Sequence, residues 1–504
     1  MGAWGPDQVA ASDHGAGQNP LVETLLRAGR EDPGRVAILT EGGAVTFAEL
    51  DALSARLAHA LVLEYGVGRG DRVAVQLPRR PEVLALNVAC ARLGAVYVPL
   101  NPAYTDREVR GLLDDAAPAL LVRDGPLEHP VARASCDELL GTAAGRPGVF
   151  VDEATDSATP AALLFTSGTT GRPKGAVLTQ GNLVFGCTTL NRAWGITSAD
   201  VVAHVLPLFH VHGLFVAAYC SLSSGATLRL LAGFDVGEVL EALGASTVMM
   251  GVPTHYARLL ADERLTAERV HGVRLFVSGS APLPPSLFDA FWTRTGHRIL
   301  ERYGTTETGM IASNPLEGER RPGSVGAALP GVEVRVTGTP GPVEVRGPNV
   351  FVGYWNRPEL GDVFTPDGFF DTGDLAVLDG EGRLEIVGRA KDVIITGGLN
   401  VYPKEVEQVL DGLPGVAESA VVGVADDDLG EAVAAAVVSD PGAALDGGEL
   451  RVRARESLAP FKVPRHVVLV ADLPRNAMGK VEKARLRRDL GELLRRRAAE
   501  PGGG

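Results

Sequence analysis

Apolar residues recur along this chain in two rhythms. Leu50, Leu53, Leu57 and Leu61 fall at helical spacing behind Thr46 and Glu49, a capping-box pair, and predict a helix there. A strand follows at Arg72–Leu77, a helix from about Pro81 to Leu93 and a strand at Ala95–Leu100. A helix around Thr105–Asp115 and a strand at Ala119–Val122 continue the series. Alternation of this kind predicts a parallel sheet with helices packed on it. Ala162–Phe165 reads as another buried strand, as do Val201–Leu206, Thr247–Val252 and Val273–Ser278. Each runs into a polar turn, the place where open α/β sheets hold ligands.

The rhythm changes near residue 322. Short alternating strands with Gly/Pro turns (Val332–Val336, Gly341–Arg346, Leu384–Val387) predict a small β-rich subdomain over 322–390. After Lys391 it changes again: helix Pro403–Leu410, strands Glu418–Val424 and Ala432–Val438, helix Gly448–Leu458, strand Val467–Val470. That is a compact α+β unit of ordinary domain size. The expected organisation is a polar, Gly-rich, disordered tail over 1–18, a large α/β domain over 19–390, a small domain over 391–490 and a basic, Gly-ending tail over 491–504.

Composition narrows the function. The 504 residues are 45% hydrophobic and 22% charged, an ordinary soluble composition. A formal net charge of −14 argues against a nucleic-acid partner or a standing membrane association. Cys90, Cys136, Cys187 and Cys220 are scattered without metal spacing and read as free thiols in a reducing cytoplasm. The N-terminus has neither signal-peptide nor myristoylation pattern. The most apolar run, near residue 85, is interrupted by Asn87 and Arg92, so no membrane span is expected.

Candidate chemistry begins where the strand Ala162–Phe165 breaks into Thr166, Ser167, Gly168, Thr169, Thr170, Gly171, Lys174 and Gly175. Glycines let backbone N–H groups face an anion, and the hydroxyls and Lys174 add donors and charge, so this reads as a phosphate-wrapping loop. It is not a Walker A loop, because Gly175 follows Lys174 where Ser or Thr is required. Tyr303 in Glu301–Glu307 can stack on a base, and Glu307 can hold Mg²⁺. Asp374 at a strand turn can take ribose hydroxyls.

Taken in order, TSGTTGRPKG, YGTTE, DTGDL, GRAKDVIITGG, YPKEVE and RNAMGK resemble the adenylate-forming superfamily of acyl-CoA synthetases, adenylation domains and luciferases, over about residues 20–490. The resemblance implies ATP, Mg²⁺, coenzyme A as co-substrate, and a small, mobile C-terminal domain. It implies that an acid attacks the α-phosphate of ATP, and that the acyl-adenylate then passes to a thiol. By the same resemblance, ATP is bound by residues 166–171 and Lys174, by Ala281, Pro282, Glu301, Tyr303, Gly304 and Thr306, and by Asp374, Arg389 and Lys480. The metal lies near Thr166 and Glu307. Lys480, Glu307 and His210 are the catalytic residues. Lys391 is the hinge, and Gly397, Gly398 and Leu399 line the CoA channel.

Arg302 narrows the acid. A buried guanidinium beside a pocket for an apolar tail would be costly without a partner, and makes sense if the substrate carries a second carboxylate. The alternative is a salt bridge with Glu301 or another acid. LPLFHVHGLF, MMGVPTHYARLL, SGSAPL, LERYG and LPRNAMGKV together resemble the malonyl-CoA synthetases, which implies a small dicarboxylic acid, malonate or methylmalonate. Arg302, His210, Ser280 and Met310 would then line its pocket. Thr305 departs from the methionine expected there, which bears on pocket size. A ligase for another small or medium acid, or one that loads a carrier protein, is the alternative.

Overall fold

The computed structural model describes residues 18–166, 173–357, 360, 362–426, 428–476 and 479–499. The chain divides into two compact units. The larger takes in the chain up to Leu283, then Leu287–Val334 and Glu344–Thr372; the smaller takes in Pro284–Ser286, Arg335–Val343 and everything from Gly373 onward.

Two sheets build the large unit, and both follow the expected strand–helix rhythm. The first has the order Ala132–Ala134, Leu120–Arg123, Arg72–Gln76, Val96–Pro99, Pro160–Thr166, Lys174–Thr179. Its pairs are parallel except the last, which is antiparallel. In the second, six parallel strands run side by side in the order Leu300–Thr305, Leu275–Ser278, Val248–Gly251, Val201–His204, Thr227–Leu230 and Val36–Thr40. The strand Gly309–Ser313 then turns back antiparallel on Leu300–Thr305.

Local signals explain the helices. Thr46 Oγ1 accepts from the Glu49 N–H at 3.2 Å and Glu49 Oε2 accepts from the Thr46 N–H at 2.7 Å, which starts the helix Phe47–Tyr65. An earlier helix, Pro20–Glu31, was not anticipated. Asn19 caps it, with Pro20 in its first turn, and Leu21, Val22, Leu25 and Leu26 are buried. The helix Pro81–Arg92 is buried along its length from Val83, and the two polar residues that interrupt its apolar run are satisfied. Asn87 accepts from the Tyr219 hydroxyl at 2.7 Å, and Arg92 pairs with Asp51 and Asp152 and donates to Ser54 Oγ at 3.0 Å. Among the described residues no helix is long and apolar enough to cross a membrane. All four cysteines are free and buried.

In the small unit Val416–Asp426 and Gly430–Ser439 form an antiparallel pair, and His466–Leu469 joins it in parallel. Their residues alternate between two cores. Val421, Val433, Ala435 and Val437 meet Val406 and Leu410 of the helix Pro403–Asp411. Ala420, Val422, Ala434 and Ala436 meet Leu486 and Leu490 of the helix Lys483–Ala499. Both faces are covered, so these strands read as continuous apolar runs. The last helix continues past residue 491, where a tail was expected, because Leu486 and Leu490 anchor it.

Asp411, at the end of its helix, has one carboxylate oxygen buried without a hydrogen-bond partner among the described residues. Burial, with Glu407 and Glu418 nearby, pushes its pKa up to about 7, against a hydrogen bond from Ser419. Between about pH 4 and 7 the folded unit therefore holds more protons than the unfolded chain, and stability falls as pH rises, by at most about 1.4 kcal/mol per pH unit. Asp411→Asn should remove that slope and stabilise the protein at pH 8 relative to wild type. Denaturant unfolding at pH 5 and 8 checks this; an unchanged slope would rule it out.

Candidate functional site

The phosphate-loop residues Ser167, Gly168, Thr169, Thr170 and Gly171 lie outside the described residues, and its two flanks are described. Thr166 and Lys174 pair directly across the antiparallel strands Pro160–Thr166 and Lys174–Thr179, and Thr166 Oγ1 donates to the Lys174 carbonyl at 3.3 Å. The far edge of the second strand is backed by a distant segment. Val177 N–H donates to the Gly353 carbonyl at 3.0 Å and Trp355 N–H to the Gly175 carbonyl at 2.8 Å.

That backing segment carries Tyr354, a residue sequence reasoning missed. Its hydroxyl donates to Glu307 Oε1 at 2.9 Å, and the Lys174 ammonium lies 5.3 Å from its ring centroid. One aromatic side chain thus joins the loop exit to the carboxylate proposed for the metal. Glu307 itself sits in the turn between Leu300–Thr305 and Gly309–Ser313, held by its carbonyl, which accepts from the Phe351 N–H at 2.7 Å. Among the described residues no group of three or more His, Cys, Asp and Glu side chains could hold a metal. One carboxylate and one hydroxyl suit Mg²⁺, which takes most of its ligands from water and phosphate oxygens.

The second cluster lies at the ends of neighbouring parallel strands. Arg302 is buried, 4% exposed, and its Nε and Nη2 have no acceptor among the described residues. The expected alternative, a salt bridge to Glu301, is not formed among them; Glu301 Oε1 instead accepts from the Leu283 N–H at 3.0 Å. Burial pushes the Arg302 pKa down to about 10, so it stays a cation at neutral pH. The guanidinium lies over Gly279, where an added Cβ would meet Arg302 Cζ at 2.3 Å; only glycine leaves room for it.

Next to Gly279, Ser280 adopts a left-handed backbone (φ 69°), uncommon for a residue with a side chain. Its hydroxyl lies 3.1 Å from Nδ1 of His212. His212 opens a buried π-helix, His212–Ala218, a rare element that concentrates at functional sites. Burial, then the Arg302 cation and His210, hold the His212 pKa well below the usual range, so the ring is neutral. Its Nε2 and the hydroxyl of Ser278 are also buried without a partner among the described residues. Four unmatched polar atoms, three on adjoining strands and one on the π-helix, point to something polar binding there.

Arg302 and Ser280 thus belong to one cluster, with His212 as the member not assigned from sequence. His210 is half-buried two residues before it. Met310 instead lines an apolar pocket with Leu178, Leu183, Leu190, Phe215 and Val216. Thr305 lies outside the cluster: its hydroxyl is 3.0 Å from that of buried Thr308, which also accepts from the Thr305 N–H at 3.2 Å. Tyr303 is half-buried and its hydroxyl donates to Thr372 Oγ1 at 3.2 Å. Ala281 and Pro282 continue the Ser280 turn, Gly304 ends opposite Met310, and Thr306 precedes Glu307 in its turn.

The small unit carries the remainder. Asp374 is buried and pairs with Arg389 Nε at 3.0 Å across an antiparallel pair of strands. Lys391 lies in a single turn, Ala390–Asp392. Gly397 and Gly398 make the tight turn between Ile394–Thr396 and Leu399–Val401, with φ of 56° and 80°, the left-handed pair that a two-residue hairpin requires. That tip leaves Ile395 and Leu399 exposed. Lys480 follows Gly479 on a surface turn.

Comparison with known proteins agrees over most of the chain. Residues 25–355 match the AMP-binding enzyme family and residues 405–480 its C-terminal domain. A feruloyl-CoA synthase from an Amycolatopsis species is 37% identical, covering 92% of this chain and 98% of its own. The mitochondrial malonate–CoA ligase of Mus musculus is also 37% identical, covering 90% of this chain and 88% of its own. The crystal structure of ATP-bound MatB from Rhodopseudomonas palustris is 43% identical, with a TM-score of 0.90, and covers 94% of this chain and 99% of that one.

A buried cation with two nitrogens lacking an acceptor among the described residues should weaken the unliganded protein. Arg302→Met should therefore leave it as stable or more stable, by up to about 3 kcal/mol, a rise of a few degrees in Tm. A Tm several degrees lower than wild type would mean the guanidinium serves the fold.

Proposed function

Because the chain belongs to the AMP-binding enzyme family and is an adenylate-forming acyl-CoA ligase that uses ATP and coenzyme A, we propose that the acid it activates is malonate, with methylmalonate the other candidate of the same charge. The observation that carries this is the set of unmatched donors around Arg302. Arg302 Nε and Nη2 are aligned for a carboxylate, and a second carboxylate is what separates malonate from a simple acid. In the tautomer in which His212 Nδ1 accepts from the Ser280 hydroxyl, the neutral ring carries its proton on Nε2 and offers a third donor.

In the first step an oxygen of the other carboxylate attacks the α-phosphorus of ATP. The P–O bond to the β-phosphate breaks and pyrophosphate leaves. Two anions must approach, so the requirement is charge neutralisation, which falls to Lys174 and Lys480. Thr166 and Glu307 would hold Mg²⁺, which when bound neutralises phosphate charge, and Tyr354 orients Glu307 for that role. Tyr303 flanks the adenine, and Asp374 with Arg389 takes the ribose. In the second step the CoA sulfur attacks the acyl carbon and AMP leaves. Movement of the small domain about Lys391 withdraws Lys480 and brings Gly397, Gly398 and Leu399 to the thiol channel; the exposed apolar tip of that hairpin suits a surface that is later covered.

A second reading has its own support. One relative of equal identity is a feruloyl-CoA synthase, which supports an aryl acid, although the apolar pocket at Met310, about 30 Å³, is too small for an aryl ring as it stands. Arg302 would then be left with its charge unmatched, which favours the dicarboxylate.

Pyrophosphate release across malonate, methylmalonate, propionate and ferulate tests the assignment. Arg302→Leu should lower kcat/KM for malonate by about 10- to 100-fold, the loss of a charge-assisted pair, while propionate use persists or rises. Equal losses for both acids would reject the dicarboxylate reading. Tyr354→Phe should raise the Mg²⁺ concentration for half-maximal rate several-fold, about the loss of one hydrogen bond to a charged group. An unchanged Mg²⁺ dependence would remove Tyr354 from that role.

A further inference from the structure

We propose that Arg475 is a positioning residue that acts through Lys480, holding its backbone so that only the lysine side chain is left to move. This rests on the reading of Lys480 as the adenylation lysine. The observations lie within the small unit. One guanidinium nitrogen of Arg475 donates to the Gly479 carbonyl at 2.7 Å, the carbonyl of the peptide bond that ends at the Lys480 nitrogen. The other is ion-paired with Glu418 on the central strand Val416–Asp426. Asn476 completes the grip: its side-chain oxygen accepts from the Lys480 N–H at 3.0 Å, and its own N–H donates to the Lys480 carbonyl at 2.9 Å. Arg475 and Val481 also face each other as an antiparallel bridge, and Glu482 N–H donates to the Pro474 carbonyl at 2.8 Å.

The base of this hairpin has a second tether. Lys483 Nζ lies 2.7 Å from Glu407 Oε1, which also accepts from the Val421 N–H at 2.8 Å. The Gly479 carbonyl is thus tied through Arg475 to a strand buried on both faces, and the Lys480 N–H and carbonyl are held by Asn476, the next residue after Arg475.

Stability does not account for the pair. Arg475 and Glu418 are 22% and 38% exposed, and ion pairs at such sites contribute little to folding. Placement does account for it. A lysine has four rotatable bonds, so the position of its ammonium is only as well defined as the backbone it starts from. Displacement by about 1 Å costs up to 100-fold in a reaction that needs alignment. Lysine at 475 could meet Glu418 or the Gly479 carbonyl, whereas the forked guanidinium meets both at once.

The test uses the full-length protein and separates the half-reactions: acid-dependent ATP–pyrophosphate exchange for adenylation, and thioester formation from preformed acyl-adenylate and CoA. Arg475→Gln should slow exchange 10- to 100-fold, leave thioester formation within about twofold, and shift Tm by no more than a few degrees. Arg475→Lys should be intermediate, and Glu418→Gln should resemble Arg475→Gln in weaker form. The deciding measurement is the double variant. On a Lys480→Ala background, Arg475→Gln should slow exchange no further. If the two losses multiply, or if both half-reactions fall together, Arg475 does not act through Lys480. If Lys480→Ala alone exchanges at the wild-type rate, the reading of Lys480 is what fails, and the two failures are told apart by that single variant.

Discussion

A guanidinium enclosed by protein without a counter-ion among the described residues is the constraint around which the large unit's cluster is arranged. Desolvation of that charge opposes folding, and the residues beside Arg302 are those that tolerate it. Gly279 leaves the volume the guanidinium occupies, Ser280 accepts a left-handed backbone beside it, and His212 stays neutral instead of adding a second positive charge. Each feature alone would be a local defect. Together they form a recess of donors at the ends of parallel strands, where this class of sheet leaves a crevice.

The small unit is organised on the opposite principle. Its strands Val416–Asp426 and Gly430–Ser439 are covered on both faces by helices and apolar side chains, giving a stiff platform. From it extend two tight hairpins, one turning at Gly397–Gly398 and one ending in Lys480. Rigid elements place a functional group more accurately than a long loop does. Lysine, the most flexible of the residues invoked, stands on a turn whose backbone is bonded to Asn476 and Arg475.

Much of this was legible in the sequence, and the exceptions have physical causes. The alternation of strands and helices, the capping box at Thr46 and Glu49, and the turn after Ser278 are local signals, and the structure places them as expected. Arg302 stood out because a guanidinium directly before Tyr303, beside an acyl pocket, is costly unless the substrate offers a second carboxylate. The helix Pro20–Glu31 was overlooked because its buried face is short and lies close to a polar N-terminal stretch. His212 could be seen but not assigned: its importance depends on which side of a π-helix faces Ser280, and no spacing rule reports that. Tyr354 could not be found at all by local reading. Its partners, Glu307 and Lys174, are brought to it by tertiary folding alone. Met310 was assigned through the resemblance to malonyl-CoA synthetases, and its apolar neighbours Leu178, Leu183, Leu190, Phe215 and Val216 come from other elements, which no local reading could supply.

The backing of Lys174–Thr179 by residues near Tyr354 also says something about the order in which the molecule is made. That strand leaves the ribosome early, yet its outer edge stays unpaired until the chain around Gly353 and Trp355 has been synthesised. Contacts of such high sequence separation form late and leave strand edges open to mispairing in the interval. A nascent or truncated chain that stops short of this segment therefore holds every residue of the phosphate loop and still lacks the support that orders its exit. Site assembly is in this sense a checkpoint on completion of the large unit, and the burden of chaperoning falls on the stretch of translation between the two halves of that pairing.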